Sequence, residues 1–167
     1  MLRFIPPVAL LVLLVGIPPA TASGAAAGGS LATTLGYFIG TWSCVGGELK
    51  AKPMTAGVTW TYALGNTLVD ERIDVPPAGK SQSYRSGGYA SYETQHKRVV
   101  SVMTDQYGGW AVTWTGGWVG NTLTFHDLAS DDNMIGSAVD TRISASAFDH
   151  LRYSKGKVVF KAHCVKI

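Results

Sequence analysis

The residues able to do chemistry in this 167-residue chain are thinly spread. Histidines stand at 96, 126, 150 and 163 with no His-x-His, His-x-x-x-His or Cys-x-x-Cys spacing, so zinc ligands would have to come from distant segments. General acid or base work needs two groups within hydrogen-bond reach in a dry site. The candidates are Asp149-His150, His126-Asp127, Ser101, Asp105 and the carboxylates Asp70, Glu71 and Asp74. Neighbours on a strand face opposite sides, which keeps Asp149 from His150 and His126 from Asp127. Gly-x-Ser-x-Gly is absent, and most of these groups read as solvated surface, so no catalytic residue is expected. Glu71 differs, because it shares a strand face with Val69 and Ile73, where a buried carboxylate needs a partner or a polar ligand. The polar segments Pro76-Pro77-Ala78-Gly79-Lys80 and Ala129-Ser130-Asp131-Asp132-Asn133 read as rim turns. The second lacks the terminal Glu of a calcium loop, and no metal site is expected.

The elements that position these residues are strands. Apolar residues make up 46% of the chain and charged ones 15%, too core-rich for a disordered protein. Twenty glycines, five tryptophans and seven tyrosines beside only Glu48, Glu71 and Glu93 oppose a helical bundle. A net charge of +3, with no basic run longer than Lys97-Arg98, argues against a nucleic-acid partner.

Period-two segments cover residues 40–47, 55–64, 67–75, 82–93, 98–105, 109–115, 121–127, 134–144, 147–153 and 157–166, with glycine-containing pairs such as Gly65-Asn66, Gly87-Gly88 and Gly120-Asn121 between or within them. Such a meander closes on itself to remove its edges, giving an all-β, antiparallel up-and-down barrel of about 8–10 strands; a β-sandwich is the other architecture. Ser30 caps a short helix beginning at Leu31, which Gly40 ends. Cys44 on the first strand and Cys164 on the last become neighbours in a closed meander and are expected to form a disulfide.

Residues 1–22 read as a signal peptide: a basic start at Arg3, an apolar stretch from Phe4 to Ile17 that is shorter than the roughly 20 residues of a spanning helix, and an Ala20-Thr21-Ala22 cleavage pattern. A flexible leader over 23–30 and a barrel domain over 31–167 follow, the product being secreted or periplasmic without a stable membrane anchor.

The segment Leu35-Gly36-Tyr37-Phe38-Ile39-Gly40-Thr41-Trp42, a short helix running into Gly-x-Trp, resembles the opening of the calycin superfamily, which holds the lipocalins and fatty-acid-binding proteins. With Trp60-Thr61-Tyr62-Ala63-Leu64-Gly65-Asn66-Thr67-Leu68 and Gly88-Tyr89-Ala90-Ser91-Tyr92-Glu93, it is similar to bacterial lipocalin-like proteins grouped as domain of unknown function 1579. That resemblance implies a barrel in which Gly40 bends the chain and Trp42 closes one end, and it implies no reaction. In such a barrel Trp60, Tyr62, Glu71, Met103, Trp110, Trp114 and Phe125 are the candidate ligand-lining residues.

More distantly the chain resembles nitrobindin-type barrels, which hold haem with a late histidine. Here that histidine would be His163, yet alternation turns it away from the apolar face of Val158, Phe160, Ala162 and Cys164. No cofactor is expected, and haem is the alternative. The expected function is binding of a small apolar or amphipathic ligand in the barrel. The competing reading is a structural or protein-interaction module with a filled core, and a cavity enzyme is the third.

Overall fold

A computed structural model describes residues 30–77, 82–131 and 136–167. The expected signal peptide, all of the leader but Ser30, and Ala78-Gly79-Lys80 and Asp132-Asn133 of the rim segments lie outside the described residues. Ser30 opens the helix α1 (Leu31–Leu35) with a reciprocal capping box: its side chain accepts from Thr33 N–H, and Thr33 Oγ1 accepts from Ser30 N–H. The helix stops at Leu35, earlier than the sequence suggested. Tyr37 and Phe38 lead on to Gly40, whose φ of 122° lets the chain turn into the first strand.

The strands are β1 (Gly40–Glu48), β2 (Met54–Ala63), β3 (Leu68–Val75), β4 (Tyr84–Glu93), β5 (Arg98–Asp105), β6 (Trp110–Thr115), β7 (Trp118–Val119), β8 (Thr122–Ser130), β9 (Gly136–Ser144), β10 (Ala147–Ser154) and β11 (Lys157–Lys166). They run in the order β6-β5-β4-β3-β2-β1-β11-β10-β9-β8, and β8 returns to pair with β6, closing an antiparallel barrel of ten strands. The two-residue β7, not foreseen from the sequence, hangs on β8 outside that cycle.

First and last strands are adjacent, with Cys44 directly opposite Cys164. Their sulfurs are bonded and their Cα atoms lie 4.0 Å apart. A disulfide is compatible with an extracellular or periplasmic location.

One end of the barrel is plugged. Leu35, Phe38, Trp42, Val69 and Leu123 have no solvent exposure, and α1 with the link to β1 lies across them. Phe38 stacks between Trp60 and Trp118, with centroids 5.1 and 5.7 Å away, while Phe148 meets both Phe38 and Trp42 edge-on. Each such pair contributes about 0.5–1.5 kcal/mol beyond its buried area. Two indole edges of the plug are satisfied by backbone: Trp42 Nε1 donates to Phe38 O at 2.6 Å, and Trp118 Nε1 to Thr34 O at 2.7 Å. The Arg142 guanidinium lies 3.5 Å above the Trp118 ring and 4.5 Å from Tyr37. Tyr37 in turn donates to Ser144 O and Ala147 O, and burial raises its pKa.

Candidate functional site

Alternation decides what enters the barrel. Along β3, Val69, Glu71 and Ile73 point inward while Asp70, Arg72 and Asp74 point out, where Arg72 pairs with Asp70 at 3.0 Å and Arg85 with Asp74 at 3.1 Å. On β10 the inward series is Phe148, His150, Arg152; on β9 it is Ala138, Asp140, Arg142. From β8 come Leu123, Phe125 and Asp127.

Above the plug these strands form a polar belt. His150 Nδ1 donates to Asp140 Oδ1 at 2.7 Å, and the two residues are register partners on β10 and β9. With Nδ1 so engaged, Nε2 is the ring nitrogen left for a further partner. Arg152 grips Asp127 with both terminal nitrogens, at 2.7 and 2.5 Å, and Asp127 also accepts from Gly136 N–H at 2.9 Å. Ser101 and Thr113 hydroxyls bond across β5 and β6 at 2.7 Å. A buried ion pair fixes geometry more surely than it adds stability, and losing one member leaves the other charge stranded. Asp127→Ala should therefore cost about 2 kcal/mol in urea unfolding, below the roughly 3–5 of a fully buried pair because water still reaches Arg152. That side chain is 28% exposed, against 0% for Asp127.

Three inward groups lack a hydrogen-bond or ion-pair partner among the described residues, one being Arg142 Nε, whose guanidinium rests on the Trp118 and Tyr37 rings. Trp60 Nε1 is buried without a hydrogen bond. Glu71, its register partner on β3, has no ion pair among the described residues. Desolvation pushes the Glu71 carboxyl up to about 8, Asp140 adding in the same direction, so it carries its proton at neutral pH. The carboxyl is enclosed by barrel wall yet keeps partial accessibility. Both facts fit a group facing an interior that water enters. Exposure rises along the inner face in step: Val69 and Val99 are sealed at the plug, whereas Ile73, Ser101, Met103, Thr113 and the His150 side chain, at 31%, are half-buried. The barrel is sealed at the α1 end, and its inner-face residues grow more exposed toward the other rim.

The sequence-based candidates divide on this geometry. Trp60, Tyr62, Glu71, Met103 and Phe125 face inward. Trp110 and Trp114, expected inside, face outward. Trp110 is 42% exposed, and Trp114 stacks on His126 at 4.7 Å beneath Arg98. The inner face of β6 is instead Ala111, Thr113 and Thr115, opposite Met103, Ser101 and Val99. His150 and Asp127, read as solvated, are interior. Asp149 and His150 do not pair with each other, and each finds a partner one strand away: Asp149 bonds His163 on the outer face at 2.7 Å.

That outward position, 55% exposed, does not fit His163 to an axial role for a haem inside the barrel. Among the described residues no three His, Cys, Asp or Glu are placed to hold a metal ion, and no nucleophile is bonded to His150. Open grooves of about 690 and 640 Å³ lie elsewhere. One crosses the outer face of β3, β4 and β5, and the other runs beside Leu49, Asp149 and His163.

No family model and no curated protein sequence matches the chain. Among solved structures it is similar to Rv2717c from M. tuberculosis, at 10% identity and a TM-score of 0.59, covering 83% of this chain and 98% of that one. The likeness is one of fold. A redesigned β-barrel (9% identity, TM-score 0.48, 83% and 99% covered) and a de novo fluorescence-activating β-barrel (12%, 0.46, 81% and 97%) also align.

Proposed function

We propose that the protein is a secreted or periplasmic, lipocalin-like barrel that binds a small amphipathic molecule between its aromatic plug and its more exposed rim. The observation that carries this reading is Trp60 Nε1, buried without a hydrogen bond, opposite Glu71, an inward carboxyl with no ion pair among the described residues, where a filled core would have satisfied or replaced both. Trp60, Val58 and Phe125 supply apolar wall for the body of the ligand. Glu71 and the free Nε2 of His150 supply its polar contacts. A structural module with a packed interior would leave neither orphan and would not grade from sealed to half-exposed along its inner face.

Native mass spectrometry with a visible absorption spectrum of the purified protein tests the proposal. A bound small mass that disappears on denaturation is the expected result. A bare mass, together with no change in tryptophan fluorescence on titration with amphipathic aromatic probes, overturns it, and a Soret band replaces it with haem.

A further inference from the structure

The geometry points to a protonated amine on an apolar body as the ligand class, with Glu71 as the carboxylate that receives the ammonium and Trp60 as the aromatic wall beside it. This inference rests on the binding function proposed above and adds the sign of the ligand's charge.

The charges of the interior lead to it. Asp127 is neutralised by both arms of Arg152, and Asp140 is held by His150. Arg142 lies against the plug, its guanidinium over Trp118 and Tyr37. Glu71 is left as the inward carboxyl with neither an ion pair nor a hydrogen bond among the described residues, and the charge that acts on it is the negative one of Asp140. A second anion brought to that place would meet repulsion, whereas an ammonium would meet an acceptor.

Trp60 supplies an independent observation. The residue is 8% exposed, its Nε1 has no partner, and it sits opposite Glu71 in the β2–β3 register. Cross-strand neighbours of this kind have Cβ atoms about 4.5–5.5 Å apart. Once ionised by a ligand ammonium, the Glu71 carboxylate has lone pairs for both the ligand and the indole N–H, so the loaded site satisfies two groups that the empty one does not.

Three probes sharing one aromatic body separate the possibilities by titration calorimetry on the purified protein: 1-naphthylmethylamine, 1-naphthalenemethanol and 1-naphthoate. The amine is expected to bind about tenfold or more tighter than the alcohol, the alcohol tighter than the acid. Glu71→Gln brings the amine-to-alcohol ratio close to one, while Asp74→Asn, on the outer face of the same strand, leaves the ratio as it is. Circular dichroism checks that both variants keep the barrel. An alcohol or acid that binds as tightly as the amine, or an amine preference that survives Glu71→Gln, overturns the ligand class and leaves the binding function standing. Failure of all three probes to bind removes both.

Discussion

Glu71→Gln raises the stability of the protein by on the order of 3 kcal/mol at pH 7, and the gain depends on pH in a way that identifies its cause. In the folded chain the carboxyl holds its proton until about pH 8, because ionising it inside the barrel forfeits hydration and adds a charge near Asp140. The unfolded chain releases the same proton near the ordinary 4.5. Between those values the native state binds more protons than the unfolded one, so stability falls as pH rises through the interval. The contribution is complete below about 4.5 and gone by about 8. Glutamine has the shape of the protonated acid and nothing to ionise. Urea midpoints for the two proteins at pH 4, 7 and 9 should thus coincide at the lowest value, separate through the middle and stay separated at the highest. A constant gap at all three would mean that packing, not protonation, distinguishes them. Removing the group that receives the ligand makes the empty barrel stronger, the usual opposition between a site's polarity and its scaffold's stability.

The barrel was legible because closure leaves local marks. Glycine-rich turns set the hairpins, period two ran through nearly every strand, and the placement of Cys44 and Cys164 on the terminal strands agreed with a sheet that meets itself. Period alone carries no phase. On β6 the apolar series Trp110, Val112, Trp114 invited an inward assignment. Pairing with Ser101 and Met103 sets Thr113 and Ala111 inside, and the tryptophans cover the outer wall beside His126 and Arg98.

The belt was hidden for a related reason. Asp140 meets His150 only through the β9–β10 register, and that register slips at Ala147/Phe148, so no fixed spacing in the chain announces the contact. A signal did exist. Counting by twos from the apolar Phe148 puts His150 and Arg152 on its face, and counting from Phe125 does the same for Asp127. Glu71 was found in that way, from Val69 and Ile73. β7 had no such signal, since two residues define no period.

Reducing the Cys44–Cys164 bond should cost about 4 kcal/mol and lower the melting temperature by on the order of 10 °C while leaving the barrel closed at room temperature. The bond joins residues 120 apart in sequence, so its main effect is to deny the unfolded chain the freedom of a very long loop. The full chain-entropy value for such a loop is about 5 kcal/mol, and residual structure in the unfolded chain takes part of it back. The native sheet does not depend on the bond for its connectivity. β1 and β11 remain paired from Trp42–Lys166 to Glu48–Phe160, and the chain's other closing contact, β6 with β8, lies at the far end of the strand order. Far-UV circular dichroism at 25 °C should accordingly be the same with and without reductant, and the thermal transition should move. Reduction of the wild-type protein is the cleaner experiment. The sulfurs are buried, with Cys44 6% and Cys164 2% exposed, and Cys→Ala variants would mix a cavity into the result. A transition indifferent to reductant that is shown to have opened the bond would place the stability of the closure in the β1–β11 ladder and the aromatic plug alone.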